Sequence, residues 1–292
     1  MKTKILLLGA FVALSFFISC DSNEKVQDPI ATIETEEITA DSNIDIAVDD
    51  IANIADDQFS VQKGSVSKST TTIKSILPDC ATVTTVLTDG IWKRTIDFGT
   101  QGCALPNGNV LKGKIFITFS NNFTSLEHKI TYRLDGFYHN GKKINGTETI
   151  TRSLKSTDLL AAIHPVSTFT INLTITFENG KVLSRTGTRV REMIEGFSTL
   201  TVWEDNVFLV WGYSITKLPN GDIYTSTIKA NPLRFSMGCK LPFPVKGTIT
   251  NTKTNSQGLN KAEAILDFGK GGCDNLATIT INGVIKEIHL EK

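Results

Sequence analysis

Five cysteines are the residues of this chain best suited to covalent chemistry: Cys20, Cys80, Cys103, Cys239 and Cys273. A cysteine thiol can form a disulfide, bind zinc or carry a lipid. Cys20 closes an N-terminal apolar stretch and is the candidate lipidation site. The other four are an even number in an exported chain, which indicates two disulfides. The sequence has no C-x-x-C pair, so zinc binding is disfavoured.

A local repeat favours one of the three ways to pair four cysteines. Residues 96–103 read Ile-Asp-Phe-Gly-Thr-Gln-Gly-Cys, and residues 266–273 read Leu-Asp-Phe-Gly-Lys-Gly-Gly-Cys. Each repeat follows an earlier cysteine by a few tens of residues. We therefore expect two local disulfides, Cys80–Cys103 and Cys239–Cys273.

Outside the cysteines, the polar residues show no established catalytic or metal-binding pattern. The histidines lack zinc spacing, and no nucleophile elbow or nucleotide-binding glycine motif occurs. His128 and His139 lie eleven residues apart on one predicted strand, so they are expected on opposite faces as surface or turn residues. Asp97 and Asp267 form a symmetric carboxylate pair that could cleave a glycoside, but accepting turn N–H groups is their more ordinary role. We predict no catalytic residue, no metal and no cofactor.

Aromatic side chains give the one candidate ligand patch. Sugar-binding β modules stack sugar rings on exposed aromatics, and Trp203 and Trp211 flank a predicted turn near Asp205. With Tyr213 they could form such a patch. Packing in the core or across strands is the competing interpretation.

The N-terminus has the pattern of an export signal. Two lysines precede the apolar stretch 5–18, which is too short to span a bilayer, and polar residues follow Cys20 at once. Phe17-Ile18-Ser19-Cys20 resembles a bacterial lipoprotein box, in which the cysteine is acylated and becomes the first mature residue. Residues 1–19 are therefore predicted to be a lipoprotein signal peptide.

The chain carries 30 basic and 30 acidic residues, but twelve of the acidic ones lie in residues 20–60, beside a single lysine. Residues 20–40 are predicted to be a flexible acidic tether. Apolar residues then recur with a period of 3.6 and predict an amphipathic helix over 41–59, capped by Asp41 or Ser42. Its apolar stripe is expected on the sheet and its acidic face in solvent. No Lys/Arg cluster indicates nucleic acid as a partner.

The body of the chain, residues 73–292, is predicted to be an antiparallel β domain. Asn-Gly and Asp-Gly dipeptides separate runs in which apolar and polar residues alternate, as in 170–177. About fourteen strands follow, one of them at 198–203. The expected fold is mainly β: a large antiparallel meander sheet with one N-terminal amphipathic helix. A sheet of this size must curl, form a sandwich or close on itself.

Together, Cys20, the acidic helix and the paired D-F-G-x-x-G-C segments resemble uncharacterised envelope lipoproteins of the Bacteroidota. The residues after Cys20 are also similar to the acidic surface-export tether of that phylum, although Asp21 directly after the cysteine can signal inner-membrane retention in enterobacteria. The resemblance implies a lipid anchor in the outer membrane, on its periplasmic face or at the cell surface. It implies no activity.

Three function classes remain open from sequence. The first is a non-enzymatic binding protein for a glycan or an envelope protein. The second is an enzyme that acts on envelope or extracellular polysaccharide. The third is a periplasmic lipid or lipoprotein carrier, which requires a concave sheet face that the helix leaves empty.

Overall fold

A computed structural model of the chain describes residues 32–66, 75–199, 202–259 and 261–290. Within these ranges the chain forms one helix, α1 (Thr35–Val66), and fourteen strands. The strands are β1 (Thr82–Thr88), β2 (Ile91–Asp97), β3 (Cys103–Ala104), β4 (Val110–Ser120), β5 (Glu127–His139), β6 (Lys142–Lys155), β7 (His164–Thr176), β8 (Val182–Glu195), β9 (Val207–Lys217), β10 (Ile223–Ser236), β11 (Lys246–Thr254), β12 (Lys261–Lys270), β13 (Leu276–Ile281) and β14 (Val284–His289).

The strands form one antiparallel sheet that follows chain order from β1 to β14, with β3 off the path and paired with β4 alone. The predicted fold class is confirmed: a large antiparallel meander with an N-terminal helix. Period-two alternation explains this outcome, because each strand buries one face and leaves the other to solvent. In β7, for example, Phe169, Ile171, Leu173 and Ile175 are buried.

Turn chemistry sets several of the hairpins. At Asp89–Gly90, Asn140–Gly141 and Asn282–Gly283 both residues have positive φ, between 46° and 51° for the first and between 76° and 80° for the glycine. Two residues in this conformation make the tight turn that matches the twist of antiparallel strands.

Two further dipeptides of these types, the Asp-Gly pair that contains Gly136 and the Asn-Gly pair that contains Gly146, lie inside strands and do not form hairpin turns. Gly136 has φ 54° at an irregularity between Arg133 and Phe137, where the pairing of β5 with β6 shifts. At Gly146 in β6, a Cβ would stand 2.4 Å from the carbonyl oxygen of Asn172. These glycines serve a bulge and a close backbone approach rather than a turn. The strand predicted at 198–203 is also wrong, since its described residues lie in the loop between β8 and β9.

The helix is longer than the predicted 41–59. It begins at Thr35, where the Glu34 N–H donates to Glu37 Oε2 (3.2 Å), and it ends at Val66. Residues 35–40, predicted as part of the tether, are therefore helical. Asp41 and Ser42 do not cap the helix: both are buried inside it. The predicted acidic solvent face is wrong as well, because Asp41, Asp45 and Asp56 bond to arginines of the sheet.

The sheet curves around α1 and the helix fills its concave face. One apolar cluster joins Ile51, Ala55 and Phe59 of the helix to β2 through β8. A second joins Ile38 and Ile46 to β9 through β14 and the following residue, Leu290. A helix can contact both halves of so wide a sheet only if the sheet bends around it, and burial of both flanks holds the helix there.

In the part of the chain that the structure describes, no helix is both long and apolar enough to cross a membrane.

Candidate ligand-binding site

A buried ion cluster fixes the N-terminal half of α1. Arg185 of β8 is fully buried, and its Nη1 and Nη2 donate to Asp41 and Asp45, with a further bond to Thr216 Oγ1 (2.7 Å). Arg189 Nη2 lies 2.7 Å from Asp45. Burial alone raises the pKa of Asp45, but the charges of Arg185 and Arg189 outweigh it and hold that pKa below its ordinary value.

A second cluster ties the middle of the helix to the loop after β3. Asp50 accepts hydrogen bonds from Asn107 Nδ2 (2.8 Å) and Asn109 Nδ2 (2.6 Å), and its Oδ2 lies 2.9 Å from His139 Nε2. Asn140 Nδ2 in turn donates to Asn109 Oδ1 (2.9 Å). Each oxygen of this carboxylate is engaged, so Asp50 positions the loop 105–109 against α1.

A third cluster lies six residues further along α1, at Asp56. Asp56 binds Arg152 Nε and Arg191 Nη2, each at 3.0 Å. The Arg191 guanidinium also stands over the rings of Phe169 and Phe208, at 5.0 and 4.7 Å from their centroids. Arg191 is thereby held by its ion pair with Asp56 and by cation–π contacts with these two rings.

A cavity of about 390 Å³ opens beside these clusters, between α1, the loop after β3 and the loop between β10 and β11. Its volume suits a small organic ligand. Much of its wall is apolar, including Ile54, Leu105, Trp203, Phe208, Met237 and Leu241. Seven polar or charged side chains join them: Asp49, Asp50, Asn53, Asn107, Arg191, Glu204 and Lys240.

Asp49 is the exceptional group in this wall. Within the described ranges its carboxylate accepts no hydrogen bond and forms no ion pair, unlike Asp45 and Asp50 beside it. Withdrawal from water raises its pKa to about 7, and the charge of Arg189 only partly opposes this. Asn53, one turn along the helix, lines the cavity as well, and its Oδ1 is buried without a hydrogen-bond partner in the described chain. Asp49 itself is half-buried, so its carboxylate is the acceptor that the cavity can reach.

Both disulfides hold the walls of this cavity. Cys80 and Cys103 have their Cα atoms 5.7 Å apart, and Cys239 and Cys273 have theirs 5.4 Å apart, so both predicted pairs are at disulfide distance. Cys103 lies two residues before the cavity segment 105–107, and Cys239 directly precedes the cavity segment 240–242. Each segment reads Cys-x-Leu-Pro from its cysteine. The shared Cys-x-Leu-Pro tetrapeptide is therefore a sequence signal for the site. The longer D-F-G-x-x-G-C repeat makes this signal easy to overlook.

A smaller cavity of about 60 Å³ adjoins the first. Asn53, Arg191, Trp203 and Phe208 line both. Trp203 therefore stands at the junction of the two spaces, and its ring centroid is 6.1 Å from that of Phe208.

The structure does not bring the predicted aromatic patch together. Trp203 lines the cavity, on the concave side. Phe208 and Val210 of β9 are buried on that same side, so Trp211 and Tyr213 point to the convex face, where Tyr213 is 45% exposed. Cys20, the predicted lipid site, lies outside the described residues.

Two other expectations have clear outcomes. Asp97 and Asp267 each accept a hydrogen bond from the N–H of the glycine two residues on, Gly99 and Gly269, at 2.8 Å, which confirms the turn interpretation.

The prediction that His128 and His139 are surface or turn residues on opposite faces is wrong, because both are buried. The bulge at Gly136 shifts the alternation of β5 by one residue and turns His139 inward.

Sequence reasoning missed Asp49, Asp50 and Asn53: it assigned the two aspartates to the solvated acidic face of the helix, and it did not single out Asn53. No protein-family model, curated protein or solved structure matches the chain. Among the described residues, no group of three or more histidine, cysteine or acidic side chains could hold a metal ion.

Proposed function

We propose that this chain is a lipid-anchored envelope protein of a bacterium whose β domain binds a small ligand without turning it over. The observation that carries the proposal is the cavity, in which the unpaired carboxylate of Asp49 shares a wall with the indole of Trp203. A half-buried carboxylate that has no bonded partner in the described chain, on the wall of an open cavity, can accept hydrogen bonds from a bound donor.

The ligand that fits this wall has an apolar face and hydrogen-bond donors. A neutral sugar has both: its C–H face stacks on an aromatic ring, and its hydroxyls donate to carboxylate and amide oxygens. Asp49 offers a carboxylate acceptor on the cavity wall. This chemistry supports the glycan-binding interpretation over binding of an apolar molecule.

The carrier interpretation receives less support. A lipid carrier needs an empty apolar channel along the concave face, and α1 occupies that space with Ile51, Ile54, Ala55 and Phe59 fully buried. The remaining cavity of about 390 Å³ is at the small end of ligand pockets and carries several charged groups. An acyl chain would have to displace the helix.

A glycan-cleaving enzyme is the second candidate, and one observation favours it. Asp49, with its raised pKa, and Glu204 line the same cavity. Glycosidases use two carboxyl groups, of which the general acid is kept protonated at neutral pH. Release of reducing sugar from envelope polysaccharide, lost in Asp49→Asn, would select this candidate instead.

Calorimetric titration of the full chain with neutral mono- and disaccharides tests the binding proposal. We expect saturable binding that Trp203→Ala and Asp49→Asn each weaken about tenfold, the equivalent of about 1.4 kcal/mol. Trp211→Ala is the matched control, because it removes the same side chain from the convex face, and it should bind like the parent. Absence of sugar binding, or equal loss in the Trp211 variant, would contradict the proposal.

The anchor needs its own test, because it depends on residues 1–20 alone. The parent chain should incorporate labelled fatty acid and partition into detergent, and Cys20→Ala should do neither. Protease treatment of intact cells then assigns the face: loss of the protein, with periplasmic markers intact, places the domain at the cell surface. Protection places it in the periplasm.

A further inference from the structure

The two outer strands of the sheet differ in how they meet solvent. β14 carries Lys286, Glu287 and His289, and charged residues on an edge strand discourage pairing with another chain. β1 reads Thr-Val-Thr-Thr-Val-Leu-Thr, with no charge and no proline, and all seven of its residues are exposed. In the described chain its only neighbour is β2. An uncharged, exposed β-rich edge of this kind is a template for another strand.

The hairpin register determines which backbone groups of β1 point outward. Thr88 pairs with Ile91 across the two-residue Asp89–Gly90 turn, and residues that close such a turn exchange hydrogen bonds with each other. Because hydrogen-bonded and non-hydrogen-bonded pairs alternate, Thr88, Val86, Thr84 and Thr82 bond to β2. The N–H and C=O groups of Val83, Thr85 and Leu87 therefore point away from the sheet.

The sequence of β1 is nearly symmetric about Thr85. Reading outward from that residue, Thr84 is opposite Val86, Val83 is opposite Leu87, and Thr82 is opposite Thr88. An antiparallel copy centred on Thr85 would place Val83 against Leu87 on one face, and these side chains are 39% and 46% exposed. Branched aliphatic pairs across strands are favourable contacts.

We propose that two copies of this chain pair through β1, antiparallel, about a two-fold axis at Thr85. In that register the three outward residues meet each other, Val83 with Leu87 of the second copy and Thr85 with itself. Each such pair exchanges two hydrogen bonds, so six form across the axis. The partner is a second copy rather than an unrelated strand because self-symmetry of both the side chains and the outward backbone groups is what an isologous interface requires.

Cysteine cross-linking of the full chain resolves this register. Thr85→Cys should cross-link to itself with a short bis-maleimide, because the two residues face each other across the axis. Thr82→Cys and Thr88→Cys alone should not, since each lies about 20 Å from its own copy at 3.3 Å per residue. A mixture of Thr82→Cys and Thr88→Cys should cross-link, because these positions are opposite each other. The parent chain supplies the background.

Analytical ultracentrifugation over a concentration series tests the association itself. The parent should be a concentration-dependent dimer, and Thr85→Pro should weaken dimerisation about tenfold or more by removing an outward N–H from each copy. Circular dichroism checks that this variant is folded. A parent that is monomeric throughout, no cross-link through Thr85→Cys, or cross-linking of Thr82→Cys alone equal to that of Thr85→Cys would overturn the proposal.

Discussion

Asp45 and Asp49 lie one turn apart on the same helix, and their environments drive their acidities in opposite directions. Asp45 contacts two arginines, which lower its pKa, whereas Asp49 has no bonded partner in the described chain, and burial raises its pKa to about 7. Both residues are aspartates of the same helix. The difference shows that burial of a carboxylate does not by itself indicate a site; the absence of a bonded partner at the wall of a cavity does.

The largest effect should come from breaking the paired side of this comparison. Arg185→Met leaves Asp41 buried without its cation and Asp45 with Arg189 alone, so we expect the free energy of unfolding to fall by about 3–5 kcal/mol. Urea unfolding measures it. Adding Asp41→Asn to the same chain should restore part of the loss, because the residue at position 41 then carries no charge and Asp45 keeps its ion pair with Arg189. If the free energy of unfolding of Arg185→Met alone lies within about 1 kcal/mol of the parent value, the cluster does not hold the helix.

Asp49→Asn should have a smaller effect of opposite sign. The folded state binds the Asp49 proton more tightly than the unfolded state does, so the parent loses stability as pH rises from 3.8 to about 7. Asparagine removes that loss. Above pH 7 we expect the variant to be more stable than the parent by about 2 kcal/mol. This is half of the free energy that corresponds to the full pKa shift, because Asp49 is only half-buried.

The matched measurement is Asp45→Asn, whose pH dependence should run the other way. The pKa of Asp45 is lowered in the folded state, so its ion pairs stabilise the protein at neutral pH, and that contribution is lost as pH falls through the lowered pKa. Urea unfolding of both variants and the parent at several pH values gives the change in free energy of unfolding that each substitution causes. If that change depends on pH in the same way for both substitutions, the two residues do not differ as proposed.

Local patterns were sufficient for most of the sheet. Alternation predicted its strands, and Asn140–Gly141 and Asn282–Gly283 predicted tight turns that the structure contains. The exceptions have a physical cause: a bulge at Gly136 shifts the alternation by one residue, and no local pattern announces it. His139 therefore faces the core, although its position in a regular strand predicted the other side.

The candidate site could not be predicted in the same way. Acidic residues on a helix have the same sequence signature whether they meet water or arginines, and here the partner Arg185 is 144 residues from Asp41. Only the fold brings them together. Trp203 was found because aromatic residues near turns are few, but its assignment with Trp211 failed because the two residues lie on opposite sides of the sheet.

The smallest effect should come from an ion pair that stays in solvent. Lys114 Nζ lies 3.0 Å from Asp97 Oδ2, with the two side chains 46% and 33% exposed. Water already solvates both charges, so Lys114→Met should change the free energy of unfolding by less than about 1 kcal/mol. Salt should abolish even that difference, whereas the Arg185→Met loss should persist in 1 M NaCl, because buried pairs are screened far less. Urea unfolding of both variants at low and high salt makes the comparison, and a salt-resistant Lys114 effect would mean that exposure does not separate the two kinds of pair.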